Sequence, residues 1–137
     1  MRFFICFGIN RQFRSLEFAQ RLLWSEGRAI LKVGIIGGGR VGSRLAASLR
    51  EAGGLAGITA AFEQHSAQLA QQFGVPTTDN AKLWQAADVL LLTVPDRLIG
   101  TVAEELAQSL TPAAKVVLHV SGSVGLEPLV PLTQLGA

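Results

Sequence analysis

The sequence predicts an α/β fold built as a doubly wound parallel sheet. Three observations carry that expectation. From Leu31 onward, apolar strand-like runs alternate with stretches of helical spacing, the order that βαβ units produce. The runs over residues 31–36 and 89–94 are almost continuously apolar, as strands covered on both faces are. A glycine-rich stretch, Gly37-Gly38-Gly39-Arg40-Val41-Gly42, falls between the first strand-like run and the first helical one.

Each element has its own signal. Residues 31–36 read as a strand, apolar apart from Lys32 and Gly34. Residues 41–52 read as a helix, with Val41, Leu45, Ala46 and Leu49 recurring at helical spacing, and Gly53-Gly54 supplies the left-handed positions that end it. A second strand is expected over 58–62, a short helix over 66–73 ending at Gly74, and a brief third strand from Val75. Asp79 is placed to cap a helix running to residue 86. Residues 89–94 are the most strand-like run, stopped by Pro95, and 96–110 read as a helix with Leu98, Val102, Leu106 and Leu110 on one face. Thr111-Pro112 turns the chain into a fifth strand over 115–120. The small-residue loop Ser121-Gly122-Ser123 follows, then a last helix over 129–135 ending at Gly136.

Composition narrows the function classes. The chain has 137 residues, enough for one domain with a core. No apolar run approaches the roughly 18 residues of a membrane span. Cys6 is the only cysteine, so a disulfide or a thiolate metal site is not expected, and a reducing, cytoplasmic setting fits. The net charge of +2 does not indicate nucleic acid, because residues 1–30 carry five arginines against two glutamates while the remainder carries seven basic and eight acidic side chains. A nucleic-acid footprint needs a basic stripe on the folded domain. Residues 1–30 are therefore set apart as a leader or upstream extension, weakly structured or forming one helix over 15–24, and the domain is placed at 31–137.

The glycine stretch has the spacing G-x-G-x-x-G, following a strand and opening a helix, which is the context of a Rossmann-type dinucleotide-binding domain. Gly37 permits the tight turn, Gly39 lets backbone approach a pyrophosphate, and Gly42 lets helix and strand pack closely. Gly38, Arg40 and Val41 complete the turn, and free amides at a helix start favour an anion. Glu63 lies 21 residues past Gly42, where an acid can accept hydrogen bonds from ribose hydroxyls and repel a 2′-phosphate. NAD or NADP is the expected cofactor, with Glu63 favouring NAD; Gln64 and His65 are alternatives for lining that pocket. Thr93, Val94 and Pro95 close the fourth strand beside the crevice of such a sheet, against the ribose or nicotinamide. Asp96 follows and is also placed to cap the next helix. His119 and Ser121, with Ser123, close the fifth strand on the same edge. There a histidine could handle a proton and a serine bind a substrate oxygen, or the histidine could simply pack within the strand. The glycine spacing and the run Val94-Pro95-Asp96 argue against a methyltransferase. A nucleotide-sensing module without catalysis remains the alternative to an enzyme.

The runs GIIGGGRVGSRLAASL, DVLLLTVPD and KVVLHVSGSVGLEPL, in that order, resemble the amino-terminal domain of a family of uncharacterised oxidoreductases in which a Rossmann-like domain precedes a helical domain. More distantly the chain is similar to pyrroline-5-carboxylate reductase, 6-phosphogluconate dehydrogenase-like enzymes and deazaflavin-dependent NADP oxidoreductases. The resemblance spans Lys32 to Ala137. It implies that Gly37, Gly39, Arg40, Val41 and Gly42 meet the cofactor phosphates, that Val94, Pro95 and Asp96 lie on the nicotinamide side, and that His119, Ser121 and Gly122 lie near the reacting centre. It further implies a small carbonyl or imine substrate. NADP-using relatives carry a small hydroxyl residue and a basic residue where this chain has Glu63 and Gln64, which points away from NADP. Relatives continue beyond the position of Ala137 into the helical domain, which supplies the substrate pocket and much of a homodimer interface. The expectation is a cofactor-binding portion that is inactive alone.

Overall fold

The computed structural model describes residues 31–76 and 78–137. The expected leader, residues 1–30, lies outside them. Among the described residues, four strands, β1 (Val33–Ile36), β2 (Leu55–Thr59), β3 (Val89–Leu92) and β4 (Val116–His119), form one parallel sheet in the order β2-β1-β3-β4. Helices α1 (Arg40–Glu51) and α2 (Glu63–Phe73) pack on one face. Helices α3 (Asn80–Ala86) and α4 (Ile99–Ser109) pack on the other, with a 3-10 helix (Glu127–Leu135). Successive strand side chains point to opposite faces. Val33 and Ile35 therefore pack with Leu45, Leu49 and Phe73, while Ile36, Leu90 and Leu92 belong to the core of Trp84, Ile99 and Leu132. This is the doubly wound parallel sheet that the alternation of runs predicts.

Tertiary pairing moves several boundaries. The second strand, expected over 58–62, is β2 at Leu55–Thr59, because its register is set against β1: Gly34 lies opposite Gly57 and Ile36 opposite Thr59. Ala56-Gly57 reads poorly as strand, yet the glycines have a packing role. A Cβ on Gly34 would stand 2.7 Å from Leu83 Cγ, and one on Gly57 would stand 3.0 Å from Leu83 Cδ1. The paired glycines form a trough that receives Leu83 from α3. Phe62, expected inside the strand, instead precedes α2 and is 76% exposed.

No strand begins at Val75. Its N–H bonds Ala70 O at 3.0 Å beyond the left-handed Gly74, so it completes the end of α2, and its side chain packs against the α1–α2 core. A 3-10 turn (Asp96–Leu98) delays the start of α4 to Ile99. Ile99, Ala103 and Leu106 then face the core, and Leu98 is partly exposed. Val41, expected in the buried stripe of α1, is partly exposed at its first turn. The last helix is 3-10 throughout. Pro131 has no N–H to donate inside it, and the buried Leu129, Leu132 and Leu135 recur every three residues, matching three residues per turn. Asp79 caps α3 as expected, accepting the Lys82 N–H at 2.8 Å.

Candidate functional site

The chain passes from β1 to β2 on one side and then crosses to β3 on the other side of β1. Between the carboxyl ends of β1 and β3 lies the switch point at which open α/β sheets bind ligands. The turn of residues 37–42 sits there, between β1 and α1.

Its glycines differ in what they are for. Gly37 has φ +124, which side chains rarely tolerate, and a Cβ there would also meet the Thr93 backbone at 2.7 Å. A Cβ on Gly42 would collide with Gly37 O, so close approach of α1 to the turn requires glycine. Gly38 packs against Leu69 of α2, with His65 Cε1 and Ala60 Cβ also near. Gly39 is unlike all three. Its backbone is extended, at φ −75 and ψ −166, and a Cβ there would meet nothing within 4 Å. Neither conformation nor packing within the described chain demands glycine at this exposed position. It precedes the first amides of α1, which have no acceptor within the helix and no side-chain cap. Arg40 and Val41 are exposed beside it.

Thr93 supports this turn. Its Oγ1 donates to Gly37 O at 2.8 Å, and its N–H donates to Ile36 O at 2.9 Å. The residue is buried, so its hydroxyl holds the glycine turn. Val94 is half-buried and Pro95 exposed just beyond β3.

Past the end of β2 lies a cleft of about 370 Å³, walled by Ala60, Glu63, Thr78, Asn80 and Lys82. Glu63 is the first residue of α2 rather than the end of a strand, and it is exposed. Asn80 Oδ1 accepts from Thr59 Oγ1 at 2.7 Å, which anchors that wall to β2. Sequence reading had no local signal for Asn80, since its partner stands 21 residues earlier.

A polar network occupies the other side of the same carboxyl end of the sheet, after β3 and β4. His119 is fully buried. Its Nε2 is 2.8 Å from Gly125 O, and its Nδ1 accepts from the Ser121 N–H at 3.3 Å. A carbonyl can only accept and an amide can only donate, so these partners select the Nε2–H tautomer. Ser121 is buried, and its Oγ accepts from the N–H groups of Ser123 and Val124. The Ser123 hydroxyl donates to Asp96 Oδ2 at 2.7 Å, joining the loop after β4 to the loop after β3. Asp96 makes no side-chain cap to the helical turn it begins; its carboxylate is turned to Ser123.

Two carboxyl groups sit below the ordinary carboxylate range. The Ser123 hydroxyl, and then the Ser121 hydroxyl, hold Asp96 down; the Lys82 backbone N–H does the same for Asp79. A carboxyl lowered by folding contributes stability above its unfolded value, and the contribution is lost as pH falls through the folded one. Thermal melts should therefore lose stability on acidification below about pH 4, the unfolded carboxylate value. Asp96→Asn should make that acid limb shallower. An equally steep limb in the variant would show that the Ser123 bond does not discriminate between the two protonation states.

Among the described residues no group of three His, Cys, Asp or Glu side chains is placed to hold a metal, and no helix is long and apolar enough to cross a membrane. A model of the Rossmann-like domain family matches residues 25–137. The chain belongs to the Rossmann-like domain family. Among solved structures, this Rossmann-like domain is similar to arogenate dehydrogenase from Synechocystis, with 28% identity and a TM-score of 0.62 over 77% of this chain and 37% of that one. It is also similar to UDP-N-acetylglucosamine 3-dehydrogenase from Acidithiobacillus ferrooxidans, with 20% identity and a TM-score of 0.53 over 77% and 34%. Shikimate dehydrogenase from Mycobacterium tuberculosis matches with 22% identity and a TM-score of 0.52 over 77% and 43%. The last two likenesses are of fold alone. The chain thus spans well under half the length of these dehydrogenases. No curated protein matches it. The Rossmann-like domain has the α/β dinucleotide-binding fold, and its family and its likeness to a dehydrogenase support an oxidoreductase-type domain with a nicotinamide dinucleotide as cofactor.

Proposed function

We propose that this domain binds NAD across the carboxyl ends of its strands and serves an oxidoreductase that moves a hydride between the nicotinamide and a small carbonyl or imine. The observation that carries the proposal is Gly39. A glycine that neither backbone conformation nor packing requires, set before the free amides of α1, leaves open the space in front of them that a side chain would occupy. A pyrophosphate seated there would take hydrogen bonds from those amides, with the exposed Arg40 adding positive charge. Sheet order then arranges the rest. The cleft past β2 lies on the adenosine side, and the ends of β3 and β4 lie on the nicotinamide side. When bound, the nicotinamide supplies the two-electron step; the chain's own residues bind, orient and select.

Glu63 on the cleft wall favours NAD, because a carboxylate accepts from ribose hydroxyls and repels a 2′-phosphate. Titration with NADH and NADPH, followed by cofactor fluorescence, tests this. NADH should bind more tightly, and Glu63→Ser should narrow the gap by about 1–3 kcal/mol, the cost of an unmatched charged hydrogen-bond partner. A wild-type preference for NADPH would refute the assignment of Glu63.

A second reading is a nucleotide sensor without catalysis. The full burial of His119, with both ring nitrogens bonded to backbone groups, favours it, because the ring is not open to a substrate. Hydride transfer to any carbonyl or imine by a protein containing this domain would exclude it.

A further inference from the structure

We propose that Ser123, oriented by Asp96, presents a hydrogen-bond acceptor to the nicotinamide carboxamide, and that this pair selects for a group bearing N–H donors. The inference rests on the dinucleotide reading above. It begins with the hydrogen on Ser123 Oγ. A carboxylate can only accept, so the 2.7 Å bond to Asp96 Oδ2 uses that hydrogen. Ser121 Oγ lies 3.4 Å away, and its hydroxyl also bonds the Asp96 carboxylate. What Ser123 still offers outward, from an exposed position, is oxygen lone-pair density.

The loop that carries it is held in place from below. His119 ties Gly125 O and Ser121 N to one buried ring, and Ser121 Oγ gathers the amides of Ser123 and Val124. His119 and Ser121 are thus positioning residues, and Ser123 is the hydroxyl presented at the edge. Asp96 is the positioning residue that sets its polarity.

This edge is the one that a dinucleotide on the glycine turn would reach with its nicotinamide half, since β3 and β4 lie on the side of β1 away from the adenosine cleft. The carboxamide there has two N–H donors and one carbonyl. An acceptor at Ser123 matches the donors and leaves an acetyl group in their place unmatched. The pair is therefore suited to the carboxamide and poorly suited to a methyl ketone of the same shape.

The experiment compares NADH, its reduced 3-acetylpyridine analogue and ADP-ribose as probes, by calorimetry on the full chain. Wild type should bind NADH about tenfold more tightly than the analogue, the worth of one hydrogen bond. In Asp96→Asn the side-chain amide can donate to Ser123 Oγ and free its hydrogen to turn outward; the gap should then close to within about twofold or reverse. Ser123→Ala should also close it. ADP-ribose, which lacks the pyridine ring, should bind all three proteins alike. Both substituted positions are exposed, and a thermal melt confirms that each variant is folded. Equal binding of NADH and the analogue by wild type, with ADP-ribose still bound, would overturn this inference alone, as would persistence of the gap in either variant. Failure of wild type to bind ADP-ribose and NADH at all would overturn the dinucleotide reading and this one with it.

Discussion

Gly39→Val is expected to abolish useful dinucleotide binding while leaving the fold intact. The wild-type backbone at this position is extended and accessible to any residue, and no described atom lies within 4 Å of where a Cβ would stand. The variant therefore has no collision to relieve. Its cost to stability is confined to replacing glycine by a weaker residue at the helix start. The branched side chain would nevertheless occupy the space through which a pyrophosphate must approach the amides of α1. Each charged hydrogen bond lost there is worth about 1.5–3 kcal/mol. NADH affinity should fall on the order of a hundredfold or more. Cofactor fluorescence titration beside a thermal melt measures both quantities. Gly42→Ala provides the contrast, because its Cβ collides with Gly37 O and should lower stability first. If Gly39→Val bound NADH as wild type does, the pyrophosphate site would have to be sought elsewhere.

His119→Ala is expected to act mainly on stability. Removing the ring leaves the buried Ser121 N–H without its acceptor and Gly125 O without its donor, and opens a void beneath the loop after β4. An unsatisfied buried group costs about 1–3 kcal/mol, and the void adds to it. For a domain of this size the melting temperature should drop on the order of 10 °C. His119→Gln, which can keep a donor toward Gly125 O, should recover part of the loss. ADP-ribose binding at the glycine turn should survive in both. A His119→Ala protein as stable as wild type would mean that the loop closes without the ring. The catalytic role expected for His119 would then be tested by turnover in a protein containing this domain.

The different reach of the sequence at these two sites has a physical basis. The glycine turn was legible because its pattern is local: a strand, three glycines at fixed offsets and a helix start lie within ten residues. The alternation of apolar runs was legible for the same reason, since burial on two faces leaves its mark in consecutive residues. Even there the sequence could not rank the glycines. That Gly38 serves packing against Leu69, while Gly39 serves nothing within the described chain, depends on α2 returning to the turn.

The sequence by itself therefore determined the doubly wound α/β class, the position of the glycine turn between β1 and α1 and the cap at Asp79. Tertiary structure alone decided where β2 begins, because parallel register with β1 and the trough for Leu83 outweigh the poor strand propensity of Ala56-Gly57. It decided that the last helix is 3-10, through the three-residue recurrence of buried leucines around Pro131. It also separated the roles of His119, Ser121 and Ser123. All three are polar residues on one short stretch, and nothing in their order distinguishes a buried ring that holds a loop from an exposed hydroxyl. The distinction comes from partners brought in by folding: Gly125 O closes back onto the ring, and Asp96, 27 residues before Ser123, takes the hydroxyl hydrogen. Hydrogen-bond polarity is set by the partner as much as by the residue, and the partner's position is set by the sheet.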